Sequence, residues 1–122
     1  MIVGICGSPR KQATEYVLEQ ALSMLKEEGF ETALWTVRDK WLEFCIHCDF
    51  CLTNKNCFYQ DDMQEFYQLL VHAKGLIFAT PVYNGGVSAQ IKAVMDRTRS
   101  VVAADKNFFK GKIGMGITIG GD

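Results

Sequence analysis

The sequence predicts an α/β domain: a doubly wound parallel sheet with helices on both faces. Three observations lead there. Short apolar, β-favouring runs recur at MIVGIC (1–6), ETALWTV (31–37), GLIFAT (75–80) and KIGMGITIG (112–120). Segments with apolar residues at helical spacing lie between them. Breakers such as Gly7-Ser8-Pro9, Gly29 and Asn84-Gly85-Gly86 punctuate the pattern. Strands that alternate with helices in this way build parallel sheets with crossover connections.

Each element has its own grounds. The first run stops at Gly7-Ser8-Pro9. From Thr14 to Glu28, Val17, Leu18, Ala21, Leu22 and Leu25 follow helical spacing, and Gly29 supplies a C-terminal stop. The segment 38–60 has no clean period and reads as irregular. Asp61 is expected to begin the second helix, with Gln64 three residues on as in a capping box; its apolar face is Met63, Phe66, Tyr67 and Leu70. GLIFAT is a continuous apolar run, as in a strand buried on both faces. A helix from about Ser88 then carries Ile91, Val94, Met95 and Val102. KIGMGITIG is the fourth strand, read as apolar on both faces.

Bulk properties narrow the function classes. A chain of 122 residues suits one domain, 1–122, with the cysteine segment 45–57 as an insertion. A net charge of −1 and a pI near 6.1, without any basic stripe, argue against nucleic-acid binding. No apolar run is long enough to span a bilayer, and the N-terminus lacks the cationic region of a signal peptide. The expectation is a cytoplasmic protein whose thiols stay reduced, which favours metal or redox roles for clustered cysteines.

In doubly wound sheets, ligands bind beyond the carboxyl ends of the strands near the switch point. GSPRKQAT (7–14) lies at such a place. Gly7 permits a tight turn, Ser8 and Thr14 offer hydroxyls, and Arg10 and Lys11 offer positive charge at a helix N-terminus, which suits an anion. The plainer reading is a polar turn with Thr14 as N-cap. TPVYNGGVSAQIK (80–92) is the second such loop. Pro81 stiffens it, Tyr83 presents a flat face, and Asn84-Gly85-Gly86 allows close approach of the backbone. These parts suit a planar ring, although a glycine-rich turn with an exposed tyrosine is the plainer reading. A phosphate cradle beside a ring-holding loop suggests a mononucleotide.

GSPRK, PVYNGG and SAQIKAVMDR, in this order and spacing, resemble the flavodoxin-like FMN-binding reductases. The segment CIHCDFCLTNKNC narrows the resemblance to the iron–sulfur flavoproteins, in which a compact motif binds a 4Fe-4S cluster beside FMN. The resemblance implies a strand order 2-1-3-4 with the fifth strand missing. It places FMN at Ser8, Arg10, Lys11, Thr14, Pro81, Val82, Tyr83, Asn84, Gly85 and Gly120, and the cluster at Cys45, Cys48, Cys51 and Cys57. It also implies an electron-transfer oxidoreductase, a redox partner protein or NAD(P)H as partner, and a homo-oligomer, dimer or tetramer, with the cluster of one subunit near the flavin of another.

The spacing C-x2-C-x2-C-x5-C leaves two rivals to the cluster. Four thiolates also suit zinc, with His47 as a substitute ligand, although a shared Cys48 is unlike the usual separated knuckles. A dithiol switch is the other, without the helix-opening context of a thioredoxin-like motif. Two further functions follow from these rivals: an NAD(P)H-dependent FMN or quinone reductase without a cluster, and a non-enzymatic metal-binding subunit. No side chain is nominated as catalytic, because the chemistry would belong to the cofactors. His47 reads as a solvent-facing neighbour, His72 as a helix-end imidazole, and Cys6 as a core thiol. Asp96 and Arg97 read as a helix-surface pair, and Trp35 and Trp41 as packing residues. The sequence departs from the family at two places. Thr14 follows Lys11 after two residues instead of three. The chain stops at Gly120-Gly121-Asp122, where related proteins continue, so a partner is expected to cover the edge strand KIGMGITIG.

Overall fold

The computed structural model describes residues 1–120. Four parallel strands form one sheet, β1 (Ile2–Cys6), β2 (Thr32–Thr36), β3 (Gly75–Pro81) and β4 (Ile113–Ile119), in the order β2-β1-β3-β4. Ile2 lies opposite both Thr32 and Gly75, and Gly75 lies opposite Ile113, so the four strands start level. The chain leaves β1 outward to β2 and then returns to β3 on the other side of β1. That reversal is the switch point, the place where a doubly wound sheet opens a crevice. The order is the flavodoxin-like one, as the resemblance implied.

Helices cover the two faces unequally. Helix α1 (Ala13–Glu27) packs alone on one face, where Leu18 and Leu22 bury against Cys6, Ile77 and Ala79. The approach is close: a Cβ on Gly4 would stand 2.8 Å from Leu22 Cδ1. The opposite face holds the larger core. Val3, Ile5, Trp35 and Val37 meet Met63, Phe66, Tyr67 and Leu70 of α3 (Met63–His72) and Val94 of α4 (Ala89–Arg97). Trp35 stacks on Phe66 with ring centroids 4.6 Å apart and donates from Nε1 to Glu65 at 2.8 Å. Each fully buried large apolar side chain there contributes about 1.5–3 kcal/mol.

Between β2 and α3 the chain makes a long excursion with one short helix, α2 (Phe50–Asn54). The helix expected from Ser88 is two helices, α4 and α5 (Arg99–Ala104), divided at Thr98. Its amide bonds back to Met95, one residue short of the α-helical partner, and the break separates Arg97 from Arg99. Met95 and Val102, expected on the apolar face, are exposed by 37% and 41%.

The expected capping box at α3 does not form. Asp61 receives the Met63 amide but spends its carboxylate on a buried arginine, and Gln64 reaches back to the Tyr59 carbonyl instead. Trp41 is exposed and bonds Glu43; only Trp35 is a packing residue. Strand β4 is apolar on one face alone. Alternation puts Ile113, Met115 and Ile117 on the α1 face and Gly114, Gly116 and Thr118 on the other. Ile117 reaches the α1 core, whereas Ile113 and Met115 are 76% and 53% exposed. No helix among the described residues is long and apolar enough to cross a membrane.

Candidate functional site

One hollow opens where β1, β3 and β4 end. The loop after β1 contributes Ser8, Arg10 and Gln12, and α1 contributes Ala13 and Thr14. The end of β3 and its loop supply Pro81, Val82 and Tyr83; the end of β4 supplies Ile119 and Gly120. The hollow holds about 760 Å³ of space, its open mouth included. That is a size at which small-molecule and cofactor sites occur.

Its two walls are tied together by buried hydrogen bonds. Ser88 caps α4, accepting from the Ile91 amide at 3.2 Å, while its hydroxyl donates to the Gly7 carbonyl at 2.7 Å. The Ser88 amide donates to Thr80 Oγ1 at 3.0 Å, so β1, β3 and α4 meet at one serine. Gly7 is required at this contact, because a Cβ there would stand 2.7 Å from Ile91 Cβ. Beyond β3, Tyr83 and Gly86 exchange backbone hydrogen bonds of 2.9 and 3.0 Å around a two-residue turn. Asn84 and Gly85 occupy it with φ of 50° and 76°, the left-handed conformations that such a turn demands.

Helix α1 arrives at this hollow uncapped. Gln12, not Thr14, is its N-cap, and no side chain bonds the first-turn amides. Free amides, the helix dipole and Arg10 are groups that could together hold an anion. Ser8 is buried and turns its hydroxyl to the Arg10 amide at 3.1 Å, which shapes the loop. In the first turn of α1, buried Glu15 would oppose an anion. Arg38 neutralises it through two hydrogen bonds of 2.5 and 3.2 Å, and hydrogen bonding to Glu15 holds the arginine pKa above its ordinary value. Cys6 is fully buried, and burial pushes its thiol pKa up.

A second hollow lies between the cysteine segment and the junction of α4 and α5. Cys45, Cys48, Cys51 and Cys57 all line it, with Arg97, Arg99 and Ser100 across from them. It holds about 370 Å³, mouth included. All five cysteines of the chain are free thiols. The loop is bent by three non-glycine residues with positive φ, His47 (56°), Asp49 (61°) and Lys55 (58°). At Lys55 this is the left-handed C-cap of α2, a common way to end a helix. The Lys55 ammonium ties the end of α2 to the Ala103 carbonyl of α5, and the Asp49 carboxylate pairs with the Arg99 guanidinium.

Arg97 is the residue that sequence reasoning misplaced. Its side chain is 1% exposed and its partner is Asp61, equally buried, while Asp96 pairs with Lys92 on the surface. Arg97 also donates to the Glu43 carbonyl at 2.7 Å and stacks over Tyr59 at 5.1 Å. Burial alone would raise the Asp61 pKa; the Arg97 hydrogen bonds and the Glu43 and Met63 amides outweigh it and hold the carboxyl below its ordinary value. Burial likewise pushes Tyr67, whose hydroxyl donates to the Arg97 carbonyl, up to about 12. The Arg97 and Arg99 Nε atoms are buried without a hydrogen-bond partner.

Seven of the ten residues expected at the flavin line the first hollow: Ser8, Arg10, Thr14, Pro81, Val82, Tyr83 and Gly120. Lys11 stands outside, along the exposed side of α1. Asn84 and Gly85 form the turn tip. Gln12, Ala13 and Ile119 join the hollow without a sequence signal of their own, as does Arg99 at the cysteines, whereas Arg97 ends the motif SAQIKAVMDR. His47 is 74% exposed in its side chain, as expected, and meets Asp49 at 3.4 Å.

The sequence profile described as NADPH-dependent FMN reductase matches residues 1–122. An iron–sulfur flavoprotein of Archaeoglobus fulgidus is 64% identical over 122 residues, all of this chain and 63% of that protein. A second, from Methanocaldococcus jannaschii, is 44% identical over 99% of this chain and 62% of its own length. The chain thus spans about three fifths of the curated relatives it matches. Among solved structures, the apo form of an NADH:FMN oxidoreductase superposes with a TM-score of 0.69 at 26% identity, covering 99% of this chain and 58% of the other. A flavone reductase gives 0.74 at 20% identity over 99% of this chain and 43% of its own, a likeness of fold. On a profile match that runs its whole length, the chain belongs to the NADPH-dependent FMN reductase family.

Proposed function

We propose that the chain is the cofactor-bearing part of an electron-transfer flavoprotein, with FMN in the first hollow and a 4Fe-4S cluster in the second. The observation that carries this reading is the convergence of Cys45, Cys48, Cys51 and Cys57 on one hollow. Four cysteines on one hollow, with Arg97 and Arg99 across from them, suit an anionic group with several thiolate ligands. A tetrahedral zinc site needs its thiolates gathered around one ion, whereas a cluster spreads them over several irons. The iron–sulfur flavoproteins among the relatives favour the same choice.

The chain's own residues divide the work. The free α1 amides, Arg10 and Thr14 suit the phosphate of FMN, and Arg38 removes the opposing charge of Glu15. Pro81, Val82 and Tyr83 suit the ring. The cysteine thiolates suit iron, and the facing arginines balance their charge. When bound, the two groups would join the two-electron chemistry of a flavin to one-electron transfer. NAD(P)H or a redox protein is the proposed partner, the cytoplasm the proposed compartment, and a homo-oligomer the proposed assembly.

Anaerobic purification with iron, sulfide, zinc and flavin assays tests the reading. About four irons and one FMN per chain are expected, with loss of iron and retention of flavin in Cys48→Ser. Flavin without iron would leave a flavin reductase; zinc in place of iron would leave a structural thiolate site.

A further inference from the structure

The two arginines beside the cysteines are held in an unusual way. Arg97 spends both terminal nitrogens, Nη1 on the Glu43 carbonyl and Asp61, and Nη2 on Asp61. Arg99 spends Nη2 on Asp49. Each guanidinium is therefore pinned at its far end by an aspartate, and in each the Nε–H is left over. Both Nε atoms are buried and lack any partner. Orphaned buried donors are rare in folded proteins, and most meet a ligand, an ion or water. Here both belong to residues that line the cysteine hollow. Arg97 lies within electrostatic reach of Cys57, and Arg99 within reach of Cys51.

An iron–sulfur group with four thiolate ligands is anionic, and its sulfurs are hydrogen-bond acceptors. Donors fixed next to those sulfurs stabilise the reduced form more than the oxidised form, because reduction adds one electron and one negative charge. We propose that Arg97 and Arg99 donate from Nε to sulfur atoms of the group held by Cys45, Cys48, Cys51 and Cys57, and thereby raise its reduction potential. The proposal rests on the cluster reading above. It assigns the Asp61–Arg97 and Asp49–Arg99 pairs a shared role, that of aiming an Nε–H by anchoring both terminal nitrogens of Arg97 and Nη2 of Arg99.

The test is an anaerobic dithionite titration of the reconstituted protein, followed by its visible and electron-paramagnetic spectra, with iron counted in the same samples. Arg99→Leu removes charge and donor; Arg99→Lys keeps the charge and removes the planar Nε–H. With iron content unchanged, Arg99→Leu is expected to lower the reduced-to-oxidised ratio at fixed ambient potential about tenfold, or 59 mV for one electron. Arg99→Lys should fall between Arg99→Leu and the parent. Arg97→Lys gives the same reading at the other arginine, and far-UV circular dichroism reports whether its core has survived. Unchanged potentials at full iron content would overturn the proposal and leave the cluster reading intact. Loss of iron from a folded Arg99→Leu would also overturn it, making the arginine a retaining residue instead of a tuning one. A parent protein that binds no iron would overturn both.

Discussion

Arg97 clasps both carboxylate oxygens of Asp61, at 2.8 and 2.9 Å, with both side chains removed from water. The pair joins the end of α4 to Asp61, two residues ahead of α3, and the Glu43 carbonyl and amide complete it from the cysteine excursion. Three segments distant in sequence thus meet at one ion pair. Removing one member leaves the other charged and buried. Asp61→Ala is expected to cost about 3–5 kcal/mol. Urea unfolding should show a lower midpoint at unchanged m, and a shift below 1 kcal/mol would reject the assignment.

The same pair sets an acid limit. Asp61 titrates below its ordinary value of 3.8 in the folded protein. A depressed carboxylate contributes stability that is fully present above the unfolded pKa and is lost as pH falls through the folded one. Stability should therefore hold at pH 6 and decline below about pH 4. Asp61→Asn should flatten that part of the profile, as measured by thermal unfolding across pH 3–7.

Gly7 is the hinge between β1 and the α4 cap. An added Cβ meets Ile91 Cβ at 2.7 Å and Ser88 Oγ at 3.1 Å, neither of which is the free end of a flexible chain. Gly7→Ala is expected to destabilise by about 1–3 kcal/mol. It should also weaken flavin binding, because the Ser88–Gly7 bond ties the hollow's walls together. Gly85→Ala meets no neighbour within 4 Å but carries φ of 76°, so its cost is local strain alone. Fluorescence titration with FMN separates the two variants.

The α1 face of β4 ends in exposed Ile113 and Met115 on an edge strand. Exposed apolar edges invite pairing. The 122-residue chain is expected to associate through this edge, and the double variant Ile113→Lys, Met115→Lys to weaken association about tenfold or more, since two apolar contacts are lost. The unfolding midpoint should stay put. Sedimentation velocity decides the matter, and a monodisperse parent monomer would defeat the prediction.

Most of the fold was legible because its signals are local. Apolar runs of strand length, helical spacing at Leu18 and Leu22, and glycine breakers all act within a few residues. The loops 7–14 and 80–92 and the four-cysteine spacing are local in the same sense, and the structure brings most of the residues singled out there to two hollows. The errors arose where a residue's partner is remote. Asp61 looked like a helix cap and Arg97 like a surface pair because each was judged by neighbours three or four positions away. The partner that decides both is 36 residues distant.

The sequence by itself determined the alternation of strands and helices, the glycine at the crowded turn and the close spacing of four cysteines. Only the tertiary structure decided which charges are buried, that α4 breaks at Thr98, and that two arginine Nε–H groups stand unpartnered beside the cysteines. The reason is physical. Periodicity and turn chemistry are properties of a short stretch of backbone, whereas burial and charge pairing depend on which surfaces the closed sheet presses together.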